Sequence, residues 1–259
     1  MDAESWDGVQ LFHGDCLEML KQVPDASVDL VLTDPPYALT QNSWDTPFDL
    51  DAWWAQIRRV SKPNAAIAVF GQEPFTSKLI CSNLKEFKYR WTWLKCTRGN
   101  FLNAKKQPLR STEDIAVFYR EQCLYQPHMR KGRMRGKATG RTRSSNYGAF
   151  HEIRVTNDIY YPTDLLSDMG KSRAGKGCGS HPTEKPVKLM EYFIETYTRP
   201  GETVLDCFMG SGTTGVACVN TGRAFIGVEL TDEWYQHAVQ RIRECVPPLT
   251  AGLLQAEVR

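Results

Sequence analysis

Val28-Asp29-Leu30-Val31-Leu32 is followed at once by Thr33-Asp34-Pro35-Pro36-Tyr37, and the character of the chain changes at that junction. Four of the first five residues are branched and apolar, the pattern of a strand buried on both faces of a sheet. Next come a carboxylate, two prolines and an aromatic ring. That group lies at the carboxyl end of a strand, where open α/β sheets place their ligands.

Working outward, β and α patterns alternate. Val9 to His13 reads as a strand closed by Gly14-Asp15, and Cys16 to Val23 has helical spacing up to Pro24. Downstream, Leu50 to Val60 is an amphipathic helix and Ala65 to Phe70 a buried strand; Pro74 to Leu84 is a helix. Tyr89 to Leu94 and Glu113 to Tyr119 read as two further strands. After an irregular stretch, Val187 to Thr198 is a helix, Thr203 to Cys207 a strand and Thr214 to Thr221 a helix. Ala224 to Leu230 and Asp232 to Cys245 form the last strand and helix. This alternation predicts an α/β fold with a doubly wound, mostly parallel sheet.

Composition narrows the class. Apolar residues make up 41% and charged residues 24% of the 259, ordinary for a globular chain able to bury a core. No apolar run approaches the roughly 20 residues needed to span a bilayer, so no membrane partner is expected. The opening Met1-Asp2-Ala3-Glu4-Ser5 lacks the basic and apolar regions of a secretory signal. The eight scattered cysteines form no C-x-x-C pair and read as reduced thiols of a cytoplasmic protein. Cys123, His128, Cys178 and His181 are too widely spaced to read as a zinc site, so no metal is expected.

The net charge of +2 hides a strong local bias. From His128 to Ser145 the chain carries Arg130, Lys131, Arg133, Arg135, Lys137, Arg141 and Arg143 and no acid. A run this dense in one sign repels itself and points to a polyanion. With Tyr147, Tyr160 and Tyr161 among the cations, it suits phosphate contacts beside base stacking. The expected layout is therefore a first core segment 1–120, a basic DNA-binding insert 121–180, a second core segment 181–247 and a tail 248–259.

Two constellations carry chemistry. Gly210-x-Gly212-x-x-Gly215, after a strand and opening a helix, fits a backbone that turns tightly against a nucleotide-bearing ligand. Glu229 lies about one βαβ unit on, where it can accept ribose hydroxyls. Asp206, just before the turn, would repel a pyrophosphate and attract the ammonium of a methionine moiety, which favours a methyl donor over a nicotinamide or flavin. At the first constellation, Asp34 and the Pro35 carbonyl offer two acceptors. Aimed at the two N–H bonds of an exocyclic amino group, they would free its delocalised lone pair. Pro35 and Pro36 fix φ and remove donors, and Tyr37 can stack on a base drawn out of a helix. Asp15, read alone, is best explained as a helix cap.

Asp34-Pro35-Pro36-Tyr37 together with Asp206-Cys207-Phe208-Met209-Gly210-Ser211-Gly212-Thr213 resembles the S-adenosylmethionine-dependent DNA amino-methyltransferases, and the motif order is similar to their β class. The resemblance implies a Rossmann-like methyltransferase fold with a seven-stranded sheet and an inserted target-recognition region. It implies S-adenosylmethionine as cofactor, double-stranded DNA as substrate, base flipping, and direct transfer to N6 of adenine. It assigns Asp34, Pro35 and Tyr37 to catalysis and moves Asp15 to the adenine of the cofactor. Glu229 is assigned to its ribose, and Asp34, Asp206, Phe208, Gly210, Ser211, Gly212 and Thr213 to the surroundings of its methionine part. Thr183 and Lys185 would close over its carboxylate. Cys207 stands where the family often has proline, and Glu184 where it commonly has glutamine. A homodimer and a companion restriction endonuclease are allowed by the resemblance and by no residue pattern. The rival readings are N4-cytosine methylation, more often carried with serine at the position of Asp34, and an inactive DNA-binding regulator on the same fold.

Overall fold

The computed structural model describes residues 3–37, 48–132, 159–167, 169–170 and 184–246. The first core segment contains β1 (Ala3–Trp6), β2 (Val9–His13), α1 (Cys16–Leu20), β3 (Val28–Thr33), α2 (Leu50–Val60), β4 (Ser61–Gly71), α3 (Phe75–Ser82), β5 (Phe87–Gly99) and β6 (Arg110–Phe118). Three two-residue strands follow, β7 (Arg130–Lys131), β8 (Ile159–Tyr160) and β9 (Leu165–Leu166). The chain then adds α4 (Val187–Tyr197), β10 (Thr203–Asp206), α5 (Thr213–Thr221), β11 (Ala224–Glu229) and α6 (Asp232–Cys245).

Nine strands form one sheet in the order β1-β2-β11-β10-β3-β4-β6-β5-β9. The sheet is larger than the seven strands expected. The additional strands β1 and β9 sit at the two edges and are short, so neither carries a pattern long enough to read from sequence. The pairings from β2 through β11, β10 and β3 to β4 are parallel, whereas β6 runs antiparallel to both β4 and β5.

Each face of the sheet has its own core. One packs Leu30, Leu32, Phe70, Ile115 and Val117 against α4, α5 and α6. The other packs Val31, Ile67, Val69 and Phe118 against α1, α2 and α3. This double covering is why the parallel strands are apolar throughout. α2 shows the local logic. The Asp49 side chain accepts from the backbone N–H groups of Asp51 and Ala52 at 2.9 and 3.0 Å, a cap worth about 1 kcal/mol. Trp53, Trp54, Ile57 and Val60 then fall on the buried face, each contributing roughly 2–3 kcal/mol by leaving water.

Residues 127–163 form a separate compact unit, in which β7 and β8 pair antiparallel, Arg130 opposite Tyr160. It lies within the expected 121–180 insert, while β9 belongs to the large sheet. Among the described residues no helix is long and apolar enough to cross a membrane.

Candidate active site

β10 and β3 are parallel neighbours, Val204 opposite Leu30 and Leu205 opposite Val31. From β10 the chain crosses to β11 on one side, and from β3 to β4 on the other, so the strand order reverses between them. That reversal opens the crevice in which doubly wound sheets bind ligands. Both sequence constellations end here. Thr33 Oγ1 donates to Asp206 Oδ1 at 2.6 Å, the Phe208 N–H reaches the same oxygen at 3.2 Å, and Thr214 Oγ1 donates to Oδ2 at 2.6 Å. Burial pushes the Asp206 carboxyl up to about 6, with the Thr214 and Thr33 hydroxyls pulling it back. It is therefore a carboxylate at neutral pH. Its charge sits at the switch point beside the glycine turn.

Asp34 lies one residue beyond Thr33 and is the centre of a second network. Tyr37 Oη donates to Asp34 Oδ1 and Lys185 Nζ to Asp34 Oδ2, both in short contacts. Lys185 also pairs with Glu113 at 2.9 Å, and Lys95 pairs with Glu113 at 3.3 Å. Tyr37 Oη reaches Glu113 at 3.3 Å. Burial raises the Asp34 carboxyl, Lys185 opposes that rise, and Glu113 adds to it. Burial also opposes ionisation of Glu113, but Lys185 and Lys95 hold its carboxyl below the ordinary range. Lys185 is buried, yet the two carboxylates keep its ammonium charged. Its Nζ also lies 5.1 Å from the centroid of the Phe70 ring. The Tyr37 ring stacks on Phe75 at 5.1 Å between centroids.

Glu113, Lys95 and Phe75 escaped the sequence reading. Glu113 had a signal: it shares a strand face with Ile115 and Val117, so a charge stood in the core phase. Lys95 had none, since it opens a loop rich in cations.

The glycine turn is held from two sides. Gly210 has φ +50°, and a Cβ added there would meet open space, leaving its backbone accessible to a ligand. A Cβ on Gly215 would meet Ile242 and Phe225 at 2.4 and 2.8 Å; this glycine lets α5 approach α6 and β11. Glu229 Oε2 accepts from the Gly210 N–H at 3.0 Å, while Oε1 accepts from Thr231. Arg241 donates to the Ser211 carbonyl, Ser211 Oγ and Thr213 Oγ1, each at 3.1 Å, and to Glu184 at 2.7 Å. The acid at position 184 is thus neutralised by Arg241, which also ties the Glu184-Lys185 segment to the turn. Asp15 caps α1, with Oδ1 accepting from the N–H groups of Leu17 and Glu18 at 2.9 and 3.3 Å. The cap is what the structure shows, and Oδ2 takes no part in it.

Cys207 is buried and accepts from Trp53 Nε1 at 3.2 Å; burial pushes its thiol up, so it is no nucleophile at neutral pH. Arg130 and Lys131 are exposed on β7. Thr183, Arg133, Arg135, Lys137, Arg141 and Arg143 lie outside the described residues, as do Cys178 and His181.

The sequence profile of the DNA methylase family matches residues 28–240, which contain both constellations. The chain belongs to this family. The methylase is 28% identical over 251 residues to the DNA adenine methyltransferase YhdJ of Escherichia coli (strain K12), covering 90% of this chain and 82% of that one. It is 25% identical to the type II methyltransferase M2.LlaDCHI of Lactococcus lactis subsp. cremoris, covering 90% and 89%. A crystal structure of an M1.HpyAVI–SAM complex superposes with a TM-score of 0.62 at 28% identity, over 90% of this chain and 98% of that one. The PvuII cytosine-N4-specific methyltransferase superposes at 0.63 but at 17% identity, and so shares the fold.

Proposed function

We propose that this DNA methylase moves the methyl group of S-adenosylmethionine to N6 of adenine at specific sites in double-stranded DNA. The reading is carried by one observation: an ionisable carboxylate, Asp34, stands at the switch point beside Tyr37 and one residue from the Asp206 cluster. The name of the E. coli relative supports adenine, as does an acid at position 34 where N4-cytosine members more often have serine.

The residues present fit the cofactor. Gly210 offers open backbone, Glu229 Oε2 keeps acceptor capacity for a ribose hydroxyl, and Asp206 supplies negative potential for an ammonium. Ser211 and Thr213 are fixed by Arg241, while Phe208 and Gly212 shape the turn between them. Asp15 Oδ2 is assigned to the adenine edge, and Thr183 with Lys185 to the carboxylate. When bound, the cofactor supplies an electrophilic methyl carbon on sulfur.

Asp34 and the Pro35 carbonyl accept the two N–H bonds of the target amino group and orient its lone pair. Each carboxylate oxygen has two lone pairs, and Tyr37 and Lys185 take one on each, so Asp34 can accept a substrate N–H without losing either. Tyr37 is assigned to stacking on the extruded base. The nitrogen sheds one proton as the new bond forms, and Asp34, whose proton affinity burial has raised, is placed to take it. Positioning supplies most of the acceleration. Mass spectrometry of nucleosides from treated DNA tests the assignment: N6-methyldeoxyadenosine is expected, and N4-methyldeoxycytidine as sole product would overturn it.

Two further outcomes follow from the same reading. Cofactor affinity should be flat from pH 8 to 6.5 and should fall below about pH 6, approaching tenfold per pH unit, as Asp206 takes up its proton and loses its attraction for the ammonium. Calorimetry across pH 5 to 8 measures this; constant affinity down to pH 5 removes Asp206 from cofactor binding. For the insert, each phosphate neutralised adds about 0.9 to the salt slope of DNA binding. Replacing Arg133, Arg135 and Lys137 together by Ala should lower that slope by about 2 to 3. An unchanged slope takes the segment out of the interface.

A further inference from the structure

Beyond the catalytic cluster, the β5–β6 hairpin has a feature that none of these roles uses. Gly71 at the end of β4 pairs with Asp114, and Leu94 of β5 pairs with Thr112. The hairpin therefore leaves the sheet at the edge that holds Asp34. Lys95 and Glu113, both in the Asp34 network, stand where it departs, and residues 96–112 lie beyond them. A duplex that presents an amino group to Asp34 approaches the end of the sheet from which this hairpin projects.

The tip carries Phe101 and Leu102, which are 72% and 86% exposed. They are not on a slack loop. Asn100 takes a left-handed conformation (φ 65°), and the Asn103 N–H donates to its carbonyl at 3.1 Å. Asn103 Nδ2 donates to Asn100 Oδ1 at 2.8 Å, and the Lys106 and Gln107 N–H groups both donate to the Asn103 carbonyl, at 2.8 and 3.0 Å. The turn thus holds two apolar side chains outward before any partner arrives, which lowers the entropic cost of using them. Around them Arg98, Lys105 and Lys106 are exposed, the segment from Lys95 to Thr112 contains no acid, and none of the described ion pairs includes these three. An apolar centre rimmed by cations matches an opened base step flanked by phosphates. The surface of a second copy would have to supply acids to meet the same rim.

We propose that Phe101 and Leu102 form a wedge that enters the DNA stack at the place the target base vacates. This rests on the base-flipping reading above and assigns a residue pair to the extrusion step. Extruding a base sacrifices stacking and leaves a gap; an apolar filler lowers that cost and slows return of the base.

The test compares two duplexes carrying the site at which the wild-type enzyme is found to methylate. In one the target base is paired; in the other it faces an abasic position and is already free to leave the stack. The full chain with Phe101→Ala and Leu102→Ala should lose about tenfold or more in kcat/KM on the paired duplex and stay within about threefold of wild type on the other. Cofactor affinity should not change, and Phe101→Trp should retain activity on both. Equal loss on the two duplexes, or no loss on the paired one, overturns the wedge. So does a change in oligomeric state on sedimentation, which would assign the tip to a second copy. Failure of the wild type to methylate any DNA when the site is sought defeats the methyl-transfer reading and the wedge with it; failure of the ratio alone defeats the wedge.

Discussion

Asp34→Ala should lower methyl transfer by about a thousandfold or more while S-adenosylmethionine still binds within a few-fold of wild type. The amino group to be methylated is a poor nucleophile because its lone pair is shared with the ring, and Asp34 is the charged acceptor adjoining Pro35. Removing one preorganised electrostatic partner typically costs about 10² to 10³ in kcat, and here the proton acceptor is lost as well. The fold should hold, since Lys185 keeps Glu113 at 2.9 Å and the Asp206 cluster is untouched. Some stability is lost, because Lys185 and Lys95 then face a single buried acid. Asp34→Asn preserves the shape and a carbonyl for Tyr37, so it separates chemistry from folding. Labelled-methyl transfer and calorimetry give the two readings. Turnover of the Asn variant close to wild type would sink the mechanism.

The alternation of apolar strands and amphipathic helices is readable because both faces of the sheet are covered. Val28–Leu32 is apolar at every buried position, and the periodicity of Leu50–Val60 and Asp232–Cys245 marks the observed bounds of both helices. Ala3–Trp6 and Leu165–Leu166 are not readable; their pairing is set by neighbouring strands rather than by periodicity. The site divides the same way. Asp34, Tyr37 and the glycine turn stand out because prolines and glycines constrain backbone, and that leaves a local mark. Glu113 and Thr33 act through distant contacts, across 76 residues for Tyr37 with Glu113 and 173 for Thr33 with Asp206. No short window records such pairs. Asp15 shows the opposite case: local chemistry alone gives the cap that the structure contains.

Lys185→Met should move the acid limb of the pH–rate profile upward, lower activity most at the acid end, and recover part of it as the pH is raised. Lys185 is the cation that opposes the burial-driven rise of Asp34 and helps hold Glu113 low. Without it, only the Tyr37 hydrogen bond opposes burial and the Glu113 charge at Asp34, so its proton is retained to higher pH. Below the new pKa, the ionised fraction falls about tenfold for each further drop of one pH unit. Only the ionised Asp34 can accept both the substrate N–H and the departing proton. Stability has a matching sign. Losing one partner of a buried pair costs about 3–5 kcal/mol at neutral pH, yet protonating the stranded carboxylates removes their repulsion, while in the wild type Glu113, held below the ordinary range, keeps its pairs with Lys185 and Lys95 over the same span. The gap in melting temperature between variant and wild type should therefore narrow from pH 8 to pH 5. If Lys185 served the cofactor carboxylate alone, the variant would raise KM for S-adenosylmethionine and leave both the acid limb and the melting gap unchanged with pH. The pH profile thus discriminates between a lysine that tunes Asp34 and one that only grips the methyl donor, and the 2.9 Å contact with Glu113 favours the first.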